Sequence, residues 1–492
     1  MDRPNILFIL TDEQRYDCLG CYGNKDLKTP NIDALARDAV RFEHSYVPYA
    51  VCTPSRYSML TGLYAHQHRG RTNKSTLAHY LKTYPRILAE NGYKTRAVGK
   101  MHFIPTYMDV GFQSMKLAEQ AGEGRLEDDY HRELHAKGMI DIVDLWDQRK
   151  EFRDRAPREY WESFGAVCSN LDEKWHSTTW IGDRAVRALE QWSGAGNMLM
   201  ASFIKPHHPF DPPASWAAKY DPDALSLLPG WLDEPLERDL KFHAGFFPHK
   251  DLSEKSIRKV MAYYYATIGQ IDMQVGRLIE TLKKNGQYDN TLIIYTSDHG
   301  DYVGFHHMLL KQNYYYDPII RVPLIVKFPG NARAGELNSA LINNIDLAPT
   351  MLRAAGIEPP PEMIGMDLAD PAADRPFIFS EYGQGDMYMA RSRTHKLMWT
   401  RNESQSLFID MLNDPLEMEN RIGDPALQTT IEEYKDAIAR WFMFDAILPV
   451  DHSGQAASVR RVCHSTISLF DDDYSKRLAS YFDREMAPYL KK

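Results

Sequence analysis

Four short apolar runs along the chain each end in a charged or polar cluster. The runs cover residues 6–11, 94–98, 197–204 and 292–297. Continuous apolar runs of this length are typical of strands that are buried on both faces, as in a parallel sheet. Because ligands bind at the carboxyl ends of parallel strands, we expect the polar clusters that follow the runs to meet at one edge of the sheet.

Helical patterns separate these runs. Thr29-Pro30 offers an N-cap and a first-turn proline, which predicts a helix that continues to about Phe42. Apolar residues in the segment 257–282 recur alternately four and three positions apart, which predicts an amphipathic helix that Asn285-Gly286 ends. Strands that alternate with helices predict an α/β domain with a largely parallel sheet flanked by helices.

The pattern changes beyond about residue 370. Short strand-like runs separated by turns are followed by one helical run, at 377–380, 387–390, 396–400, 407–410 and 430–444. We therefore expect a catalytic domain over 1–370 and a smaller α+β domain with an antiparallel sheet over 371–492, whose tail after Leu448 has no clear pattern. The charged, tryptophan-rich segment 105–180 is either an insertion that shapes a substrate pocket or a helical cover.

Composition excludes some partners. The chain has 492 residues, of which 43% are hydrophobic, and its net charge of −9 argues against nucleic acid. No apolar stretch is long enough to cross a membrane, and no secretion signal is recognisable, so the sequence as written predicts a cytoplasmic protein. It would be periplasmic or secreted if a signal peptide had been removed. Five scattered cysteines do not suggest a disulfide framework.

The polar clusters contain residues suited to metal binding and to acid–base chemistry. Asp12, Asp298 and His299 offer hard oxygen ligands and one imidazole, which suit a divalent cation. Lysines and histidines follow the other runs or lie soon after the last one, namely Lys100, His102, His207 and Lys311. Taken singly, each of these four could equally be a surface lysine or a core histidine.

Cys52-Thr-Pro-Ser-Arg56, followed by Thr61-Gly62, resembles the sulfatase signature, which directs oxidation of the cysteine to formylglycine. By itself the segment could also be a buried cysteine before a helix, since Thr53-Pro54 is a reasonable helix start. Further segments are similar to sulfatases, at 4–12, 29–36, 321–325 and 407–417. The chain is identified as a member of the formylglycine-dependent, type I sulfatase family, within the alkaline-phosphatase-like superfamily.

The resemblance implies the two-domain alkaline-phosphatase-like architecture and a set of roles. The metal ligands would be Asp12, Glu13, modified Cys52, Asp298 and His299, with Ca²⁺ the usual ion and Mg²⁺ or Mn²⁺ as alternatives. Many sulfatases have two consecutive aspartates where this chain has Asp12-Glu13, which leaves Glu13 the less secure ligand. The catalytic residues would be Cys52, Arg56, Lys100, His102, His207 and Lys311. Lys205 and His208 are weaker candidates, and His208 could simply pack.

The expected activity is hydrolysis of a sulfate monoester, either a sulfated carbohydrate or an aryl sulfate. The segment 205–210 resembles a motif of several carbohydrate sulfatases. A phosphonate monoester or phosphodiester hydrolase of the same superfamily is the alternative, although those enzymes typically lack the pair formed here by Lys100 and His102. A third reading is a non-catalytic binder of sulfated glycans. A formylglycine-generating enzyme is the implied partner, and homo-oligomerisation is left open.

Overall fold

Two β-sheets organise the part of the chain that the computed structural model describes, residues 3–120, 127–240, 247, 249–311, 314–383 and 385–446. The large sheet contains the strands β1 Asn5–Asp12, β2 Val40–Tyr46, β3 Lys94–Gly99, β4 Ser114–Leu117, β5 Asn197–Pro206, β6 Thr291–Ser297, β7 Leu324–Lys327 and β8 Leu337–Asn343. Their order is β4-β3-β5-β1-β6-β7-β2-β8. All neighbours are parallel except β7, which is antiparallel to β6 and β2.

The four predicted apolar strands are confirmed, and the structure shows that they are neighbours within this sheet, in the order β3-β5-β1-β6. Every residue of β1, β5 and β6 is buried, because both faces of the sheet are covered. Leu7 and Ile9 pack on one side, whereas Ile6 and Phe8 pack on the other. Since these strands are parallel, their carboxyl ends lie at the same edge.

Helices cover both faces. The described α-helices are α1 Pro30–Arg37, α2 Cys52–Thr61, α3 Ala65–His68, α4 Tyr84–Glu90, α5 Asp129–Ala136, α6 Ile142–Gln148, α7 Lys150–Arg153, α8 Arg158–Glu162, α9 Ser177–Glu190, α10 Ala214–Ala217, α11 Glu237–Leu240, α12 Glu254–Lys284, α13 Asp317–Ile320, α14 Leu347–Ala354 and α15 Gln428–Arg440. Helices α9 and α12 pack together on one face, and α2, α4 and α14 cover the other. None of the described helices combines the length and the apolar character that a membrane span requires.

The predicted amphipathic helix is confirmed as α12. Its 31 residues begin after Ser253, whose side chain accepts a hydrogen bond from the backbone of Ser256, and end at Lys284, directly before Asn285. Gly286 then adopts φ 67°, a left-handed conformation that suits the end of a helix.

The helix predicted from Thr29 to about Phe42 is wrong in its C-terminal part. Helix α1 ends at Arg37, and β2 begins at Val40. Val40 and Phe42 are buried while Arg41 between them is half-buried, which is the two-residue period of a strand. The apolar residues on either side of this boundary happen to continue the helical spacing, so the pattern alone did not locate the end.

The small sheet contains β9 Ile378–Tyr382, β10 Met387–Arg391, β11 His395–Thr400 and β12 Leu407–Asp410. Its order is β12-β11-β10-β9, and all of its pairs are antiparallel. Helix α15 packs on β10 and β11 and continues as a π-helix over Trp441–Asp445. The predicted antiparallel α+β unit is thus confirmed, whereas a domain boundary near residue 370 stays a prediction. The tail after Leu448 lies outside the described residues.

Buried polar contacts join the small sheet and the loop after β12 to the segments that follow β6. Lys396 on β11 places its Nζ 2.5 Å from Asp317 Oδ1 and 2.6 Å from Glu417 Oε1, with all three residues buried. Upstream in the chain, His306 donates from Nε2 to the carbonyl oxygen of Leu416 at 2.7 Å. The C-terminal sheet is therefore anchored to the loops that follow β6.

Candidate active site

The carboxyl edge of the large sheet gathers the predicted polar clusters. Asp12 is the last residue of β1, and Asp298 comes directly after β6. Lys100 and His207 directly follow β3 and β5. As expected from the parallel order, these four side chains approach one another, and each is at least nine-tenths buried.

Helix α2 presents Cys52 and Arg56 to this edge. The helix begins at Cys52, so Arg56 lies one turn later on the same face. Thr53 donates its backbone N–H to Asn73 Oδ1 at 3.0 Å, which satisfies one amide of the first turn. Ser55 donates its hydroxyl to the carbonyl oxygen of Asp298 at 2.6 Å and ties the helix to the end of β6.

Arg56 connects the ends of several strands. Its guanidinium donates from Nε to Asp298 Oδ2 at 2.8 Å and from Nη2 to Asp12 Oδ2 at 2.9 Å. From Nη1 it donates to the carbonyl oxygen of Lys100 at 2.6 Å and to Ser202 Oγ at 2.9 Å. The planar fork of an arginine suits this bridging, which a single ammonium group could not provide.

Four buried side chains form a candidate metal centre, namely Asp12, Cys52, Asp298 and His299, with one potential ligand atom from each and all four atoms within 4.8 Å of one another. Cys52 Sγ lies 3.2 Å from His299 Nε2. His299 donates from Nδ1 to the carbonyl oxygen of Gly300 at 2.9 Å, which turns its Nε2 toward the group. Two carboxylates and an imidazole held in this way fit a divalent cation.

Glu13 lies in a neighbouring group. Its Oε2 is 3.2 Å from His207 Nε2, 3.9 Å from His208 Nε2 and 3.2 Å from Lys311 Nζ. Neither carboxylate oxygen has a partner in good hydrogen-bonding geometry, although Glu13 is fully buried. The structure thus places this predicted ligand beside one lysine and two histidines rather than among the four residues of the candidate metal centre.

Positive charge surrounds Cys52. Lys311 Nζ lies 3.5 Å from Cys52 Sγ, and Lys100 Nζ forms an ion pair with Asp12 Oδ2 at 2.8 Å. Burial and Asp12 would raise the pKa of the Cys52 thiol, but Lys311, Lys100 and His299 outweigh them and hold the pKa well below its usual range. The same surroundings favour any anion at this position, including the sulfate group of an ester.

Burial and Asp12 raise the pKa of Asp298 to about 7, although His299 and Arg56 oppose the shift. Burial would lower the pKa of His299, but Asp298 raises it to about 9. Strongly shifted pKa values of buried, closely spaced groups are typical of functional sites.

His207 and His102 are the two histidines among the predicted catalytic residues. His207 donates from Nδ1 to the carbonyl oxygen of His208 at 2.6 Å, so its Nε2 faces the site, 4.0 Å from Asp12 Oδ1. Burial and the positive charges of Lys311 and His208 lower the pKa of His207 well below its usual value. His102 has φ 56°, and its backbone N–H donates to Glu119.

The secondary candidates have other contacts. Lys205 is buried in an ion pair with Asp211 and donates to the carbonyl oxygen of Pro209 at 2.8 Å, so it holds its own loop together. His208 donates from Nδ1 to Asp147 Oδ2 at 2.6 Å. Asp147 is a residue that sequence reasoning missed, and so are three other buried residues near these groups, Glu119, Gln120 and Tyr160. All four lie in the segment 105–180, where no motif pointed to them.

Comparison with known proteins agrees with this geometry. The family model described as Sulfatase matches residues 4–357, and the model described as N-sulphoglucosamine sulphohydrolase, C-terminal, matches residues 304–442. The two matches together cover nearly all of the described chain, including every residue of the candidate site.

Individual relatives are similar over most of their length. The chain is 29% identical over 463 residues to an arylsulfatase of Clostridium perfringens, which covers 89% of this chain and 92% of the relative. It is 26% identical over 495 residues to an N-acetylglucosamine-6-O-sulfatase of Bacteroides thetaiotaomicron, covering 88% and 87%.

A solved phosphonate monoester hydrolase of Agrobacterium radiobacter has the same fold, with a TM-score of 0.74 at 23% identity over 89% of this chain and 95% of that one. This likeness shows the fold, which is the alkaline-phosphatase-like architecture that the sequence predicts. The family model covers far more than half of the chain and includes helix α2, the four residues of the candidate metal centre and the surrounding lysines. The chain therefore belongs to the sulfatase family of sulfuric ester hydrolases.

Proposed function

We propose that this enzyme hydrolyses sulfate monoesters of saccharides with a formylglycine nucleophile made from Cys52. The observation that carries the proposal is the position of Cys52 Sγ, which lies 3.2 Å from His299 Nε2 and 3.5 Å from Lys311 Nζ. A nucleophile there would have metal ligands on one side and a cation for the substrate's sulfate group on the other.

The proposal includes one divalent cation, Ca²⁺, with Mg²⁺ and Mn²⁺ as ions that the same donors would accept. Asp12, Asp298, His299 and the modified residue 52 would hold it. When bound, the cation would supply Lewis-acid charge that stabilises an oxyanion. The two buried carboxylates would then be compensated by the cation as well as by Arg56.

The first half of the reaction transfers the sulfuryl group to residue 52. A hydrated aldehyde at this position would offer one hydroxyl for in-line attack on sulfur and a second for the release of sulfate afterwards. Asp298, whose pKa is raised, would accept the proton of the attacking hydroxyl. The new S–O bond to residue 52 forms as the S–O bond to the alcohol breaks.

Proton transfer to and from the neighbouring groups completes the cycle. The anionic sulfate group of the substrate would offset the positive charges of Lys311 and Lys100, so that His207 would be protonated at Nε2 and could pass this proton to the departing alcohol oxygen. Lys311 would compensate the negative charge that develops on that oxygen. His102, with Lys100 nearby, would then take the proton of the second hydroxyl, so that sulfate leaves and the aldehyde forms again. A plain alcohol nucleophile would instead leave a stable sulfate ester on the enzyme.

A saccharide substrate is supported by the relative from Bacteroides thetaiotaomicron, which is named as an N-acetylglucosamine-6-O-sulfatase. Because another relative is named as an arylsulfatase, aryl sulfates are suitable substrates for an assay. The presence of both Lys100 and His102 in the sequence supports sulfate over phosphonate esters. The proposal requires a formylglycine-generating enzyme as a partner in the cell.

The first test is the mass of the tryptic peptide 42–56, isolated from protein that is co-expressed with a formylglycine-generating enzyme. The proposal predicts the mass of formylglycine at position 52 and loss of activity in a Cys52→Ala variant. An unmodified cysteine in a protein that is nevertheless active, or full activity of C52A, would remove the nucleophile from the proposal.

The second test compares the modified protein on matched 4-nitrophenyl sulfate and phenylphosphonate esters. A kcat/KM that is higher for the sulfate supports the proposal. A higher kcat/KM for the phosphonate would instead indicate a phosphonate monoester hydrolase. If neither ester were turned over, a binder of sulfated glycans would be favoured.

A further inference from the structure

Asp147 makes a buried contact with the loop that carries His207. It lies on α6, inside the segment 105–180, and its Oδ2 accepts a hydrogen bond from His208 Nδ1 at 2.6 Å. Its Oδ1 accepts a second one from the hydroxyl of Tyr160 at 2.6 Å. Asp147 and Tyr160 are completely buried, so this carboxylate has a fixed orientation.

His208 in turn fixes His207 in two ways. The carbonyl oxygen of His208 accepts the hydrogen bond from His207 Nδ1 at 2.6 Å, and Gln120 Nε2 donates to the same oxygen at 2.6 Å. The two imidazole rings are also stacked, with centroids 4.1 Å apart and planes inclined by 27°. The position of residue 208 therefore determines both the tautomer and the ring plane of His207.

This arrangement leaves Nε2 of His207 as the atom that faces the site, 3.2 Å from Glu13 Oε2 and 4.0 Å from Asp12 Oδ1. If the ring of His208 moved, the neighbouring ring would lose its stacking partner and would keep only the hydrogen bond at Nδ1, which does not fix the ring plane. A general acid needs hydrogen-bond reach to the leaving oxygen, so a small rotation of His207 would lower the efficiency of proton donation.

We propose that Asp147 and His208 are positioning residues that aim His207 at the leaving-group oxygen, and that the segment 105–180 thereby contributes to catalysis. The inference rests on the proposed function, since it takes His207 as the proton donor. Neither residue needs to touch the substrate for this role. Asp147 acts through the hydrogen bond to His208, and His208 acts through its carbonyl oxygen and its ring.

The role has a kinetic signature that a purely structural contact would lack. Protonation matters most for an alcohol of high pKa, which is a poor leaving group, and little for a phenol of low pKa that departs as an anion. Loss of a well-aimed acid should therefore slow phenyl sulfate far more than 2,4-dinitrophenyl sulfate. General damage to the fold would slow both esters equally.

The test measures kcat/KM for a series of aryl sulfates with the modified wild-type protein and three variants at position 147 or 160. Asp147→Leu removes the acceptor, and we expect about a 100-fold loss on phenyl sulfate but less than about 3-fold on 2,4-dinitrophenyl sulfate. Asp147→Asn keeps an acceptor oxygen for His208 Nδ1 and should stay within about 5-fold of wild type across the series. Tyr160→Phe, the matched control, removes only the hydrogen bond at Oδ1 and should change all esters alike.

Equal losses on all esters for D147L, or a D147N variant as impaired as D147L, would overturn the inference. If D147L does not fold, as judged by circular dichroism and thermal unfolding, His208→Ala is measured on the same series with the same expectation. A wild-type protein without activity on any sulfate ester would refute the proposed function instead, so the two failures are distinguishable.

Discussion

Asp12 and Glu13 are neighbours in the chain, yet their carboxylates belong to different groups of the site. Asp12 ends β1 and lies among the candidate metal ligands, whereas Glu13 Oε2 lies 3.2 Å from Lys311 Nζ. Glu13 has φ 65°, a left-handed conformation that is uncommon for a residue with a side chain. The turn sends the second carboxylate away from the first.

This separation predicts different effects of two substitutions on metal affinity. Glu13→Gln should leave the affinity for Ca²⁺ within about 3-fold of wild type, because its carboxylate lies outside the group of four. Asp298→Asn should weaken binding by about 100-fold, because it removes a charged donor from the group. Isothermal titration of Ca²⁺ into chelator-treated protein measures both. A loss for E13Q as large as that for D298N would make Glu13 a ligand.

Arg56→Lys should destabilise the protein even before any modification of Cys52. The ammonium group of lysine cannot replace both hydrogen-bonded contacts to Asp12 and Asp298, so the two buried carboxylates lose part of their compensation, although Asp12 keeps its ion pair with Lys100. We expect the free energy of unfolding to fall by about 3 kcal/mol in urea denaturation of metal-free, unmodified protein.

The exposed pair of Arg158 and Glu162 supplies the control for this substitution. Arg158→Lys should change the free energy of unfolding by less than about 0.5 kcal/mol. If R56K and R158K were equally stable, the bridge between the strand ends would contribute nothing to stability.

Lys396→Met should weaken the attachment of the small sheet. Its ammonium lies between Asp317 and Glu417, and removing it leaves two buried carboxylates close together. Breaking a buried ion pair by deleting one partner typically costs about 3–5 kcal/mol. Thermal and urea unfolding would measure the loss. Lys435→Met, which removes a partly exposed pair with Glu432, should cost at most about 0.5 kcal/mol, and an equal effect of both substitutions would contradict the prediction.

Asp272→Asn should alter how stability depends on pH. Asp272 accepts hydrogen bonds from the backbone amides of Asn31 and Ile32 at the start of α1, and burial raises its pKa to about 6. The folded protein therefore binds this proton at a pH where the unfolded chain does not. The contribution of Asp272 to stability rises as the pH falls from about 7 to about 4, by roughly 2–3 kcal/mol.

The measurement compares the free energy of unfolding of wild type and D272N at several pH values. The difference between wild type and variant should increase as the pH falls through about 6, whatever other groups titrate in both proteins. A difference that is constant from about pH 7 to about pH 4 would show that Asp272 keeps an ordinary pKa in the folded protein.

The central strands and the edge on which the site lies could be predicted because burial on both faces requires an uninterrupted apolar run. Strands β1, β3, β5 and β6 were found in this way, and the residues after them converge as expected. Helix α12 was predictable for a similar reason, since its buried stripe keeps a regular spacing over many turns.

Other features depend on tertiary contacts that leave no local pattern. The contact between Asp147 and His208 joins residues 61 positions apart, and nothing in the sequence around Asp147 marks it as a partner of the site. The placement of Glu13 depends on one backbone dihedral angle. The end of α1 at Arg37 is set by the pairing of β2 with β7 and β8, which the spacing of apolar residues does not encode.

The hydrogen bond from His306 to the carbonyl oxygen of Leu416 has a consequence for how such chains can be recombined. His306 belongs to the loop that leads to Lys311, and Asp301 Oδ1 secures the same loop by accepting from Val303 and Leu310. A chimera that joins the first 370 residues to the C-terminal sheet of a relative would keep Lys311. Its loop would, however, lose the native segment around Leu416 against which His306 packs. A junction placed before residue 301 would transfer the lysine and its support together.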